Sequence, residues 1–152
     1  DFILNKNILL TNSNYYILCD INKLIEEGFY YTAGKLRSTP VKIGGTAWTP
    51  DLPIESDIKE KINNILANDN SILDKAIMLV LYVTKAQMFI DGNKRTAVIF
   101  ANHLLISHGE GMIVIPAEKT EEYKKLLIEY YEIDDSTKIS KFLKENCYLK
   151  IN

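Results

Sequence analysis

Apolar side chains recur at helical spacing along most of this chain and lose that rhythm in one place. Ile17, Leu18, Ile21, Leu24 and Ile25 share one face of a segment running from Thr11 to Glu27, the period of a helix laid against a core. Thr11 or Ser13 supplies an N-cap oxygen there, and Gly28 a stop. The same period predicts helices over 54–68, 71–87, 94–108, 120–132 and 136–145, with a short extended piece at 112–115. Between 30 and 53 the texture changes. Gly34, Pro40, Gly44, Gly45, Pro50 and Pro53 punctuate two β-favouring triplets, Val41-Lys42-Ile43 and Thr46-Ala47-Trp48. Glycine reaches the positive φ of tight primed turns, so Gly44-Gly45 predicts a β-hairpin over about 40–50. No repeat, low-complexity tract or long linker divides the chain, which reads as one mostly α domain over 1–152.

Composition narrows the function. A chain of 152 residues, 47% hydrophobic, buries roughly 70% of its unfolded surface in one core. A formal net charge of −2 excludes nucleic-acid binding through the overall field. No apolar run approaches the roughly 18 residues of a bilayer crossing, and no signal-peptide pattern opens the sequence. The expectation is a cytoplasmic protein without membrane or nucleic-acid partners. Cys19 and Cys147 are too few for a disulfide framework, and with two histidines they argue against zinc. Of eighteen basic residues only Arg37 and Arg95 are arginines, leaving sixteen lysines. In so Lys-biased a chain, an arginine marks a place that lysine does not fill.

The chemistry concentrates in Gln87-Met88-Phe89-Ile90-Asp91-Gly92-Asn93-Lys94-Arg95-Thr96. One apolar helix ends near Gln87, Asp91-Gly92 turns the chain, and a second begins at about Asn93 as N-cap. A plain helix corner explains Asp91, Gly92 and Asn93. It does not explain Lys94 and Arg95, since a cation in the positive first turn costs a few tenths of a kcal/mol. An anion bound among those cations and the free backbone N–H groups removes the conflict. Arg95 adds a fork suited to phosphate, and Asp91 a carboxylate for a phosphate-bridging Mg²⁺. On spacing alone, the helix corner and the phosphate site both stand.

The string from Gln87 to Thr96 resembles the HxFx[D/E]GN[G/K]R signature of Fic-type (Fido-fold) proteins, and in its NKR form that of Doc relatives. Ala33-Gly34-Lys35-Leu36-Arg37, Val41-Lys42-Ile43-Gly44-Gly45 and Trp48-Thr49-Pro50 are similar to the family's flap region. Ala101-Asn102-His103-Leu104-Leu105 and the helix carrying Tyr123 and Tyr131 also fall where such proteins have helices. The resemblance implies a Fido-type helical bundle with a short β-hairpin flap. It further implies transfer of AMP, or in Doc relatives phosphate, from ATP with Mg²⁺ to a protein Ser, Thr or Tyr hydroxyl. By that resemblance, Phe89 anchors the 87–95 loop, Asp91 binds Mg²⁺, and Gly92, Asn93, Lys94 and Arg95 bind the phosphates of ATP or another nucleotide. Ile43, Gly44, Gly45 and Thr46 dock the target protein, and Tyr123 or Tyr131 flanks the base, against the ordinary reading of both as core. An inhibitory or antitoxin-like partner also belongs to the implied picture.

Two positions depart from the pattern. Gln87 stands where the family has its catalytic histidine, a base whose contribution is roughly 10²–10⁴-fold. Neither His103 nor His108 replaces it, both reading as helix-surface or helix-end residues. Val98 stands where the longer motif places a second arginine. Lys141 to Asn146 approaches an inhibitory-helix pattern, but Lys141 occupies its Ser/Thr position, so Glu145 reads as an ordinary helix-end residue. The sequence therefore leaves two functions open: an adenylyltransferase-like enzyme, or a catalytically silent nucleotide- or peptide-binding regulatory module. In either, Arg95→Lys is expected to weaken nucleotide binding about tenfold although charge is conserved, because the fork is lost. Equal affinities by fluorescence titration would refute that reading of Arg95.

Overall fold

The computed structural model describes residues 1–151. Seven α-helices and one small sheet follow in order: α1 (Lys6–Leu9), α2 (Tyr15–Glu26), α3 (Glu55–Ala67), α4 (Ile72–Ala86), α5 (Asn93–Ser107), β1 (Gly111–Ile113), α6 (Thr120–Ile133), α7 (Thr137–Phe142) and β2 (Tyr148–Lys150). The architecture is mostly α, as the periodicity predicts. No helix among the described residues is long and apolar enough to cross a membrane.

α5 is the central element. It packs most extensively on α4, and α2 and β1 flank it. Ala97, Phe100, Ala101 and Leu105 of α5 are fully buried against a core that includes Leu79, Val80 and Val83 of α4 and Leu18 of α2. The small residues Ala97 and Ala101 present little side chain to hold neighbouring elements apart. α2 starts at Asn14, whose side chain accepts from Tyr16 N and Ile17 N, so the cap is neither Thr11 nor Ser13.

His103 corrects a sequence expectation. It is fully buried, not a surface residue. Its ring nitrogens lie 2.7 Å from Ser13 Oγ and 2.9 Å from Ile8 O, so it pins the N-terminal segment to α5. The last expected helix is also shorter, because α7 gives way to a wide π-type turn over Leu143–Cys147 before β2. β2 pairs antiparallel with β1, Gly111 opposite Lys150 and Ile113 opposite Tyr148. Asn102 of α5 ties β1 to the helix: its Nδ2 donates to Ile113 O at 2.8 Å and its Oδ1 accepts from Ile113 N at 2.7 Å.

The expected hairpin over 40–50 does not form as two paired strands. The segment is a loop turning at Gly44-Gly45, and the physical reason is Arg37. This arginine is only 3% exposed. Its guanidinium donates to Thr39 O at 3.0 Å and to Asp51 O, with Pro50 O at 3.5 Å. The carbonyls at both ends of the loop thus accept from a side chain instead of from backbone N–H groups across a ladder. Its Nε donates to Gln87 O at 2.6 Å, and its backbone N–H to Met88 O at 3.0 Å. Burial lowers the Arg37 pKa and the Asp51 carboxylate opposes that shift, yet an arginine stays charged in proteins. Lysine cannot reach these acceptors in one plane. Arg37→Lys is therefore expected to cost about 2–4 kcal/mol in urea unfolding. A loss below about 0.5 kcal/mol, the usual size for a surface change, would show that the fork is not needed.

Candidate functional site

The chain between α4 and α5 is held by its own residues. Gln87 closes α4 in the left-handed conformation, at φ 44°. Met88 and Phe89 follow, 0% and 1% exposed, and anchor the loop in the core. Asn93 clamps it from the far side: Phe89 N donates to Asn93 Oδ1 at 2.9 Å, and Asn93 Nδ2 donates to Phe89 O at 2.8 Å. Asn93 is thus the first helical residue and not the N-cap. The cap position belongs to Gly92, at φ 73°, which offers α5 no side-chain cap. The N–H groups of Asn93, Lys94 and Arg95 lack intrahelical acceptors, as at any helix start. Asp91 Oδ1 accepts from Gly92 N at 2.6 Å, and the residue is otherwise exposed.

α2 grips this loop from below with two residues one turn apart. Asn22 Nδ2 donates to Asp91 O at 3.0 Å and to Thr96 Oγ1 at 3.2 Å, while Asn22 Oδ1 accepts from Gly34 N at 2.9 Å. Glu26, only 3% exposed, lies under Gly92 and accepts from Arg95 Nη2 at 2.6 Å. Arg95 itself remains 61% exposed, so part of its fork is open. The sequence carries no signal for Asn22 or Glu26, because a polar residue buried under a loop looks like any polar helix position.

These elements enclose a cleft of about 370 Å³, with Lys42, Ile43 and Gly44 on one wall and Gln87 and Asp91 to Arg95 on the other. The structure therefore brings together Gln87, Asp91, Gly92, Asn93, Lys94, Arg95, Ile43 and Gly44. It turns the rest of the loop elsewhere. Gly45 lies against Ile128, and Thr46 Oγ1 donates to Glu132 Oε1 at 2.8 Å, latching the loop to α6. Tyr123 and Tyr131 are core residues, 5% and 1% exposed, and burial pushes the Tyr131 hydroxyl up to about 12. Glu145 is exposed, with Lys141 Nζ at 3.9 Å. A larger cavity of about 560 Å³ opens between the 48–58 segment, α4 and α6. Its walls are mostly apolar, and its carboxylates Asp51, Asp57 and Asp134 outnumber Lys61 and Lys85, so the smaller cleft is the better anion site.

A loop over a helix N-terminus, with a DGNKR turn at that terminus, is the arrangement to set beside known proteins. The Fic/DOC family model matches residues 12–105, well over half of the chain. The chain belongs to the Fic/DOC family. No curated protein sequence matches it significantly. Among solved structures, it is similar to the BepC protein of Bartonella tribocorum, a VirB-translocated effector with bound AMPPNP. That likeness has a TM-score of 0.74 at 16% identity, over 96% of this chain and 81% of that one. Fic-1 (residues 134–508) from C. elegans gives a TM-score of 0.71 at 21% identity, over 93% of this chain and 42% of that one. A Fic-domain signaling protein from Bacteroides thetaiotaomicron gives 0.64 at 23% identity, over 74% and 46%. These likenesses establish a shared Fic fold, and the chain spans under half the length of the last two.

The Fic turn has little room at Gly92. A Cβ there would collide with Glu26 Oε1, at a φ that L residues rarely adopt. Gly92→Ala is expected to destabilise by about 1–3 kcal/mol and to displace Glu26 from Arg95. Thermal unfolding within 1 °C of the parent protein would contradict this account of the turn.

Proposed function

We propose that this Fic protein binds the phosphates of a nucleotide at the N-terminus of α5, and that it lacks the general base needed for group transfer. The Gln87 amide carries the second half of the reading. Its Nε2 donates to Thr84 O at 2.7 Å, and its Oε1 accepts from Asn93 Nδ2 at 3.3 Å. An amide has no useful basicity, and this one is engaged at both ends in bracing the α4–α5 loop. It orients; it does not take a proton.

The first half rests on donors. Three free N–H groups, Lys94 and the open part of Arg95 converge at the positive end of a fifteen-residue helix, a combination that attracts phosphate. AMPPNP bound to the BepC protein supports a nucleotide as the anion. Among the described residues no three His, Cys, Asp or Glu side chains gather to hold a metal ion. Mg²⁺ commonly sits on one or two carboxylates together with substrate phosphates, and Asp91 offers one carboxylate at the cleft. Bound there with the nucleotide, the ion would neutralise phosphate charge. Lys42 and Gly44 are exposed and among the described residues no strand pairs with the loop, which leaves room for an extended segment of a target protein to align along it.

A second reading, transfer of AMP or phosphate to a protein hydroxyl, draws on the same intact donor set, because such transfers depend heavily on positioning and charge neutralisation. ATP labelled at the α-phosphate in one reaction and at the γ-phosphate in another, each with Mg²⁺ and a cell lysate, separates the two. The binding reading expects saturable nucleotide binding, no label transfer by the protein itself, and transfer gained by Gln87→His. Transfer by the unaltered protein that Arg95→Ala abolishes would replace it with the enzyme reading. Absence of nucleotide binding would overturn both.

A further inference from the structure

The geometry points to Lys42 as a second phosphate-binding residue, reaching the ligand from the loop opposite α5, so that the site selects nucleotides carrying more than one phosphate. This rests on the nucleotide reading above and adds its specificity. Three cations line the cleft, and their charges are not equally available. Arg95 is matched by the buried carboxylate of Glu26. Lys42 and Lys94 have no carboxylate within ion-pair distance among the described residues. These two lysines belong to opposite walls of the cleft, one on the loop and one in the first turn of α5. One phosphate seated on the free N–H groups of α5 satisfies Lys94 and the open donors of Arg95. It leaves Lys42 facing the cleft alone. A second phosphate linked to the first brings an anion toward the loop wall, where Lys42 supplies a compact positive charge.

Lys42 is also held in place for this. Arg37 grips Thr39 on one side of Lys42, Asp51 beyond it, and Gln87 on the other wall of the cleft. Thr46 bonds to Glu132 and fixes the distal end of the loop. The stem of Lys42 therefore rises from a segment tied to the motif loop itself, and the spacing between the two lysine-bearing walls does not depend on a freely moving flap.

The test is titration of the protein and of Lys42→Gln with ATP, ADP and AMP, followed by calorimetry. Lys35→Gln serves as control, since Lys35 is exposed and lies outside the cleft. Lys42→Gln is expected to weaken ATP and ADP binding about tenfold, leave AMP within twofold, and leave the melting temperature unchanged. Lys42→Arg should restore most of the loss, and Lys35→Gln should change nothing. Equal weakening for all three nucleotides, or no weakening for any while the parent protein binds them, would overturn the assignment and leave the nucleotide site standing. A parent protein that binds none of the three would remove the site itself.

Discussion

Everything about the cleft depends on one buried arginine. Arg37 places a planar set of donors among carbonyls from three separate stretches: Thr39 at the start of the 40–50 loop, Pro50 and Asp51 at its end, and Gln87 at the close of α4. A charged group at 3% exposure is costly unless its hydrogen bonds are made. Here they are made to backbone oxygens that would otherwise be unpaired inside the loop. The bonds from Arg37 Nε to Gln87 O and from its backbone N–H to Met88 O couple the two walls and fix their spacing.

On the other wall, polar residues of α2 do similar work. Asn22 and Glu26, one turn apart, hold the underside of the 91–96 segment. The upper side is left with backbone N–H groups and cations. Glu26 tempers the site as well as supporting it, because its carboxylate balances Arg95 and leaves the lysines as the uncompensated charges. The site's character thus comes from which cations lack partners, more than from how many there are. On a chain of net charge −2, that local excess is the electrostatic feature an anionic ligand would meet.

Much of this was legible in the sequence. The 3.6-residue period located α2 to α6 to within a few residues, since each buries one continuous apolar face. The DGNKR string marked the helix start, because two cations in a positive first turn need a reason. The scarcity of arginine singled out Arg37 and Arg95; the structure finds Arg37 in contacts that use the guanidinium shape and Arg95 in a single bond to Glu26. What the sequence did not carry was anything decided by long-range polar contacts. β-propensity at 41–43 and 46–48 predicts strands, but Arg37 takes the carbonyls that flank them. His103 reads as a surface residue until Ser13 and Ile8 fold over it. Glu26 carries no signal in the sequence, and its role comes from Gly92 and Arg95 lying over it. In each case the deciding partner lies far along the chain, where local periodicity has no reach.

The most direct check on the central claim is the backbone amide spectrum of the ¹⁵N-labelled protein during addition of ATP and Mg²⁺. If nucleotide phosphates seat on α5, the amides of Gly92, Asn93, Lys94 and Arg95 should shift most, with smaller changes at residues 42–44. Shifts confined to residues lining the larger cavity between α4 and α6, or no shifts at saturating nucleotide, would contradict it.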